Sequence, residues 1–418
     1  MLLKYQDVFV PGGFPRHTYN ARLDLNLETR LGEIKDNLCK LVTVTGQTKS
    51  GKTVLARKVL PPEECIWIDG GTAGTEDEFW QLVIEQLDLF QDYEEQEGTE
   101  TSTCIEGKGT AEANFLVAKG SGEVGASLER KRGTETRRVR SLSSRVVALS
   151  GLKTRKLPLV IDDFHYLPPD LQGRIVRALK PIVFDGLPVA VIAIPHRRFD
   201  AVKVEREMAG RISGIEIPSW SNSELSYIPE TGFKLLGYEL DPSSATRLAS
   251  QALGSPHLMQ DFCRGLAKQR DIKYSAELSQ LQFSPDECDE IFRDVADTIG
   301  RPIFEKLARG PRQRTDRIPR ELKDGRRVDI YELVLHALAS IKPGLVSLEY
   351  EDLRSAIREV SSSQLPQLHE VARVLKHMAT IASTDQSSTP VIDFEEEEKK
   401  LHITDPFFAF YLRWGDLS

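Results

Sequence analysis

Eight residues, Gly46-Gln47-Thr48-Lys49-Ser50-Gly51-Lys52-Thr53, fit the pattern G-x-x-x-x-G-K-[ST] in full. The chemistry served by that spacing is the holding of phosphate. Two glycines let the backbone curl so that successive N–H groups point at one anion, and a following helix adds its positive end. Lys52 is then placed to reach the β- and γ-phosphates. The Thr53 hydroxyl takes a position on Mg²⁺, with Val54 opening the helix behind it. Such a loop needs a carboxylate to anchor the metal. In LPLVIDDFHYL, residues 157–167, an apolar run ends in Asp162 and Asp163. Asp162 stands at the C-terminal end of that run, where open α/β sheets place ligands, and is the expected Mg²⁺ anchor.

The elements around these residues alternate. Leu41 to Thr45 carries β-branched residues in strand fashion, and Val54 to Leu60 reads as a helix stopped by Pro61-Pro62. With a strand before and a helix after, a chance glycine loop is disfavoured. CIWIDGG is a second short apolar run, EDEFWQLVIEQLDLF an amphipathic helix, PPDLQGRIVRALKPIVFDG another helix, and LPVAVIAIPHRR a strand. This order predicts a parallel sheet with helices on both faces.

The chain has 418 residues, 40% of them hydrophobic, enough for two or three domains with cores of their own. Charged residues make up 28% and the net charge is −8, so the molecule as a whole is not built to coat nucleic acid or an anionic membrane. Cys39, Cys65, Cys104, Cys263 and Cys288 are scattered without paired metal-ligand spacing, which fits thiols used as small hydrophobes in a reducing cytosol. The opening MLLKYQDVFVPGGFP is not read as a signal peptide, and no apolar run approaches the roughly 18 residues of a membrane span. The expectation is a cytoplasmic protein with no membrane partner.

Together these residues resemble a P-loop ATPase of the STAND type, the signalling class related to AAA+, near the bacterial and archaeal ATPases that carry a C-terminal winged helix. The resemblance implies an α/β fold: a P-loop NTPase parallel sheet with helices on both faces, followed by a helical lid and a winged-helix domain. It implies ATP and Mg²⁺ as cofactors, and the sequence offers no N-K-x-D-like guanine reader. Asp163 follows where many such ATPases place a Glu that polarises the attacking water, and its shorter side chain implies slow hydrolysis. Arg22, in YNARLD, falls where the family has its adenine-side linker. LGSPHLMQDFC resembles the G-x-P segment of the lid, which puts Gly254 and Pro256 at the nucleotide. VIAIPHRR resembles the strand ending in a sensor arginine, Arg197, with Arg198 the alternative because Pro195-His196 replace the usual Thr or Ser. Arg211, just before the fifth strand, is a candidate arginine finger or inter-subunit contact. The resemblance covers residues 15–285 closely and the C-terminal third more loosely.

The expected organisation is an N-terminal linker over residues 1–40, a core over 41–222 with an insertion at 93–145, a lid over 223–290, a basic linker over 291–328 and a winged helix over 329–418. The insertion is polar and glycine-rich. Within it NFLVAKGSGEVGASLE is a candidate β-hairpin turning at Lys119-Gly120-Ser121-Gly122, on either a surface loop or a partner-contacting arm. Asp241-Pro242 marks a helix start in the lid. Residues 301–327 hold ten Lys or Arg against four Asp or Glu, which suits DNA phosphates or a solvated connection. The third winged-helix segment presents Glu370, Arg373 and Lys376, and the wing tip is Glu395 to Glu398. A glutamate wing is repelled by phosphate, so binding to protein or packing on the chain's own ATPase domain is favoured over DNA.

These readings make the chain an ATP-driven switch controlling either homo-oligomer assembly or a separately encoded effector. No toxin, nuclease or protease motif is visible, and a stress or phage-defence role rests on analogy with the class alone. The alternatives are a DNA-associated AAA+ ATPase of transposition or loader type, and a plain nucleotide-binding scaffold.

Overall fold

The computed structural model describes residues 3–36, 38–89, 92–96, 127–132, 135–141, 143–194, 210–311, 317–345, 347–383, 390–396 and 398–417. It divides into two units. One comprises Met1–Leu25, Gly46–Lys52 and Ile217–Ser418; the other comprises Asn26–Thr45 and Thr53–Glu216.

The second of these units carries the sheet. Strands β1 (Leu41–Gly46), β2 (Ile66–Asp69), β6 (Leu159–Asp162), β7 (Val189–Ala193) and β8 (Ile212–Ile217) lie in the order β2-β6-β7-β1-β8. The pairs β2–β6, β6–β7 and β7–β1 are parallel. Because β1 neighbours β7 rather than β2, the chain leaves β1, crosses to the sheet edge and works back. Alternate strand residues split between two buried faces. Leu41, Ile66, Ile68, Leu159, Ile161, Val189 and Val191 pack with Phe79, Trp80, Val147, Leu152, Ile175 and Leu179 of the helices Glu76–Gln86, Ser144–Arg155 and Pro169–Phe184. Val42, Val44, Val160, Ala190 and Ile192 are buried as well, which is why these strands read as continuous apolar runs. The helix Glu76–Gln86 starts on a capping box in which Thr75 accepts from the Glu78 N–H and Glu78 reaches back.

Within the insertion β3 (Asp92–Gln96), β4 (Ser127–Arg132) and β5 (Glu135–Ser141) form an antiparallel sheet in the order β3-β5-β4. The β4–β5 pairing runs from Ser127↔Arg140 to Arg132↔Glu135. The expected turn at Lys119–Gly122 lies outside the described residues.

The other unit opens with Tyr5–Val8 and continues from Ile217 in helices. Asn222–Leu235 is capped by Ser221 and Glu224, Pro242–Gln251 by Asp241, and Pro256–Gln269 by Ser255. Strands β9 (Tyr238–Leu240) and β10 (Ser279–Leu281) pair in parallel. Pro285–Arg309 is a single 25-residue helix, so it runs across the lid-to-linker boundary expected at residue 290 and takes up the first part of the basic segment. Short strands β11 (Arg320–Glu321) and β12 (Arg327–Val328) lead into helices Ile330–Ile341, Tyr350–Val360 and Leu368–Ser383. With β13 (Ser347–Glu349), β14 (Ile392–Glu395) and β15 (Lys400–Ile403) paired antiparallel in the order β13-β15-β14, these make a winged helix. The closing helix Pro406–Trp414 buries Phe408, Phe410 and Tyr411 in the same core as Phe262, Phe292 and Phe304. Among the described residues no helix is long and apolar enough to cross a membrane.

Candidate phosphate-loop site

Strand β1 delivers the chain into the loop at Gly46. A Cβ there would sit 2.9 Å from the Ile217 carbonyl oxygen and 2.9 Å from Ser50 Oγ, so only glycine fits. Gly51 needs glycine for a different reason: open space surrounds it, but its φ is +94°. Lys49 also lies in the left-handed region, at φ +61°, where an L side chain costs about 1 kcal/mol. Lys52 opens the helix Lys52–Val59 and is 8% exposed. Its Nζ donates to the Gly46 carbonyl at 3.0 Å and the Gln47 carbonyl at 2.9 Å, which curls the ammonium over the loop's own backbone.

Thr53 follows Lys52 directly in the chain. In the sheet-bearing unit the Thr53 hydroxyl donates to Asp162 Oδ1 at 3.3 Å. The hydroxyl of the loop-helix and the carboxylate at the end of β6 therefore converge, although 109 residues separate them. Asp162 Oδ1 also accepts from the Asp163 N–H at 3.0 Å, and Asp163 itself stands at φ +48° just past the strand. Val54 continues the helix.

The residues fit a nucleotide and a hard cation. Thr48 Oγ1 and Ser50 Oγ are buried in the loop without a hydrogen-bond partner, two orphaned hydroxyls in a segment otherwise made of curled backbone. Thr53 and Asp162 offer the hard oxygen donors that Mg²⁺ prefers while leaving most of its positions to water and phosphate.

Sequence reasoning overlooked what braces the loop. Trp220 Nε1 donates to the Ser50 carbonyl at 2.9 Å, and Ser219 Oγ donates to Gln47 Oε1 at 2.9 Å. Arg22 lies 4.7 Å over the Trp220 ring and donates to Glu224 at 2.6 Å and to the Pro218 and Ser219 carbonyls at 2.9 and 3.2 Å. Arg22 is buried at φ +48°, so its guanidinium is committed to fixing this turn. Burial pushes the Glu224 carboxyl up, but hydrogen bonds from Arg22 and Ser221 outweigh it and hold the carboxyl below its usual range. The signal was present in WSNSE: an S-x-x-E capping box behind an aromatic, shortly after an expected strand.

In the lid, Gly254 (φ +71°) and Ser255 precede Pro256, the first residue of its helix. The next residue, His257, is pushed down to about 4 by burial, with the Lys49 charge adding to the effect. Its Nε2 is 3.6 Å from Asp261 Oδ2, and its ring meets Phe407 edge-on at 4.9 Å. Lys49 Nζ in turn stands 5.4 Å over the Phe407 ring. The residue before Pro406, Asp405, is 8% exposed and caps the last helix by accepting from the Phe408 N–H at 2.9 Å. The other two arginines are placed differently. Arg211 offers its carbonyl to the Leu41 N–H at 2.9 Å and lays its guanidinium 5.1 Å over Phe184. Arg197, with Pro195, His196 and Arg198, lies outside the described residues.

No family model matches the chain, and no curated relative does. Among solved structures it is similar to the Walker-type ATPase paby2304 of Pyrococcus abyssi, at 12% identity over 93% of this chain and 94% of that one, with a TM-score of 0.51. It is also similar to the Aeropyrum pernix ORC2 protein in its ADPNP–ADP complexes, at 12% identity over 98% of each chain and a TM-score of 0.48. Against Cdc6p from Pyrobaculum aerophilum the identity is 13% over 98% of each chain, with a TM-score of 0.44. At such identities the likeness is one of fold alone. The sheet order, the glycine-dictated loop and the Thr53–Asp162 contact give this chain the fold of a P-loop NTPase.

Proposed function

We propose that the chain is an ATP-binding, slowly hydrolysing switch of the AAA+ type whose nucleotide state controls self-assembly or a separately encoded effector. The observation that carries this reading is the loop itself: two obligatory glycines, a curled-in lysine and buried orphan hydroxyls, continuing into a threonine that meets the strand-end aspartate. In this reading Gly46 to Thr53 and Val54 hold ATP, with Lys52 on the β- and γ-phosphates. Thr53 and Asp162 hold Mg²⁺, which when bound neutralises phosphate charge. Asp163 orients the attacking water. Pro256 belongs to the adenine side. Arg22 acts there through the backbone it fixes, since its guanidinium is held by Glu224. Arg197 reads the γ-phosphate and Arg211 serves as the finger. A stress or phage-defence setting remains an analogy with the STAND class.

A DNA-associated role is the second reading, and the basic segment is what recommends it. Several of its described arginines are paired within the fold: Arg301 with Asp297, Arg317 with Asp329, Arg320 with Glu370 and Arg326 with Asp324. On the third winged-helix helix Lys376 pairs with Glu396 of the wing. Each such pairing offsets charge that phosphates would otherwise meet, so the switch is preferred.

Mass photometry with and without Mg²⁺–ATP tests the proposal, with Lys52→Ala as control. Growth of the particle in the wild type and not in Lys52→Ala is the expected outcome. If Lys52→Ala grows as the wild type does, the loop does not govern assembly.

A further inference from the structure

Lys49 occupies a position that glycine would fill without strain. Its φ of +61° is a conformation that L residues adopt rarely, and local backbone strain of this kind is kept where a side chain is used. The Lys49 side chain does not turn toward the two carbonyls that hold Lys52. It reaches the first turn of the last helix, Pro406–Trp414, where its ammonium lies 5.4 Å from the centre of the Phe407 ring, within cation–π range. Two further groups feel the same charge. The buried Asp405 carboxyl, raised by its burial, is drawn back down in part by Lys49, and His257, which packs edge-on against Phe407, is pushed further down by it. One residue of the phosphate loop thus rests on the first turn of the C-terminal helix, and its charge reaches Asp405 and, in the first turn of the lid helix, His257.

We propose that Lys49 couples the phosphate loop to the C-terminal helix: without phosphate its ammonium rests on Phe407, and a polyphosphate in the loop draws it away and loosens the helix start. The inference rests on the nucleotide-binding reading of the same loop. Phosphate competes well for this ammonium because a cation–π contact is weaker than a charge-assisted hydrogen bond to an oxyanion. The helix start is the element that responds because its cap, Asp405, is a carboxyl that feels that charge. Loss of the ammonium raises the cost of an ionised, buried Asp405.

The test uses the full chain and two readouts: calorimetric binding of Mg²⁺–ATP, and amide hydrogen exchange over residues 405–414 with and without it. Wild type is expected to bind and to show at least fivefold faster exchange over that helix when ATP is added. Lys49→Gly, relaxed in the loop backbone but without the ammonium that phosphate draws in, is expected to bind more weakly than wild type, to start with fast exchange, and to show no further response at saturating Mg²⁺–ATP. Phe407→Leu, which keeps an apolar side chain but no ring and leaves the loop intact, is expected to bind within about threefold of wild type and to show the same fast, unresponsive exchange. If Lys49→Gly responds to ATP as wild type does, the inference is overturned. Loss of binding in Lys49→Gly with wild-type exchange overturns it too, because Lys49 is then a phosphate ligand only. Binding by wild type with no change in exchange overturns the coupling and leaves the nucleotide reading standing; no binding by wild type sinks both.

Discussion

Asp261 shows how a single buried carboxyl registers its surroundings. Burial raises it to about 6 from an ordinary 3.8, against the opposing pull of Arg264. Between those values the folded chain keeps a proton that the unfolded chain has released, so the fold loses stability as pH rises through about 6. His257 works the other way. Its value falls from 6.5 to about 4, so it costs stability as pH falls through that window and the imidazole resists charging in the fold. The two trends oppose each other between about pH 4 and 6. Asp261→Asn removes one of them. It should raise stability at pH 7, where the carboxyl is ionised in a dry setting, by roughly 1–3 kcal/mol, and change little at pH 4, where the native group is already neutral. Urea denaturation at the two pH values checks this; an equal gain at both would show that the charge is not what matters.

Among the elements, the start of the helix Asn222–Leu235 carries the most connections to the loop. Glu224 caps that helix and receives Arg22, while Trp220 and Ser219 reach Ser50 and Gln47. Arg22→Ala removes the charge partner of a half-buried carboxylate and the donors to two carbonyls. A loss of roughly 3 kcal/mol is expected, and Arg22→Lys should recover little because an ammonium cannot serve Glu224 and both carbonyls in one plane. Thermal unfolding of the two variants decides it: a loss below about 1 kcal/mol would mark Arg22 as a surface ion pair. This brace explains what was legible in the sequence and what was not. The loop was readable because its spacing is dictated by backbone geometry, β1 because of its β-branched residues, and β6 and β7 because burial on both faces leaves an unbroken apolar run. Arg22, Trp220 and Glu224 were not, because their meeting depends on chain ends about 200 residues apart. Sequence places Arg22 beside a nucleotide by likeness; only the fold reveals which carboxylate holds it. The helix Pro285–Arg309 crosses the expected lid-to-linker boundary at residue 290 for a related reason. Its basic residues suggested solvated chain, yet Phe292, Ala296, Phe304 and Leu307 keep a buried stripe through Pro302.

For the molecule as a whole, the central claim is that the loop binds a nucleotide triphosphate with Mg²⁺ and that Asp163 affects turnover rather than binding. The sequence-wide charge of −8 gives no help in holding an anion, so the affinity must come from the loop's own N–H groups, Lys52 and the metal. The most direct measurement is a calorimetric titration of Mg²⁺–ATP into wild type, Lys52→Ala and Asp163→Ala, paired with phosphate release from the same samples. Wild type and Asp163→Ala should bind alike, Lys52→Ala at least a hundredfold more weakly, and Asp163→Ala should release phosphate at least tenfold more slowly than wild type. Equal binding by Lys52→Ala and wild type would contradict the account.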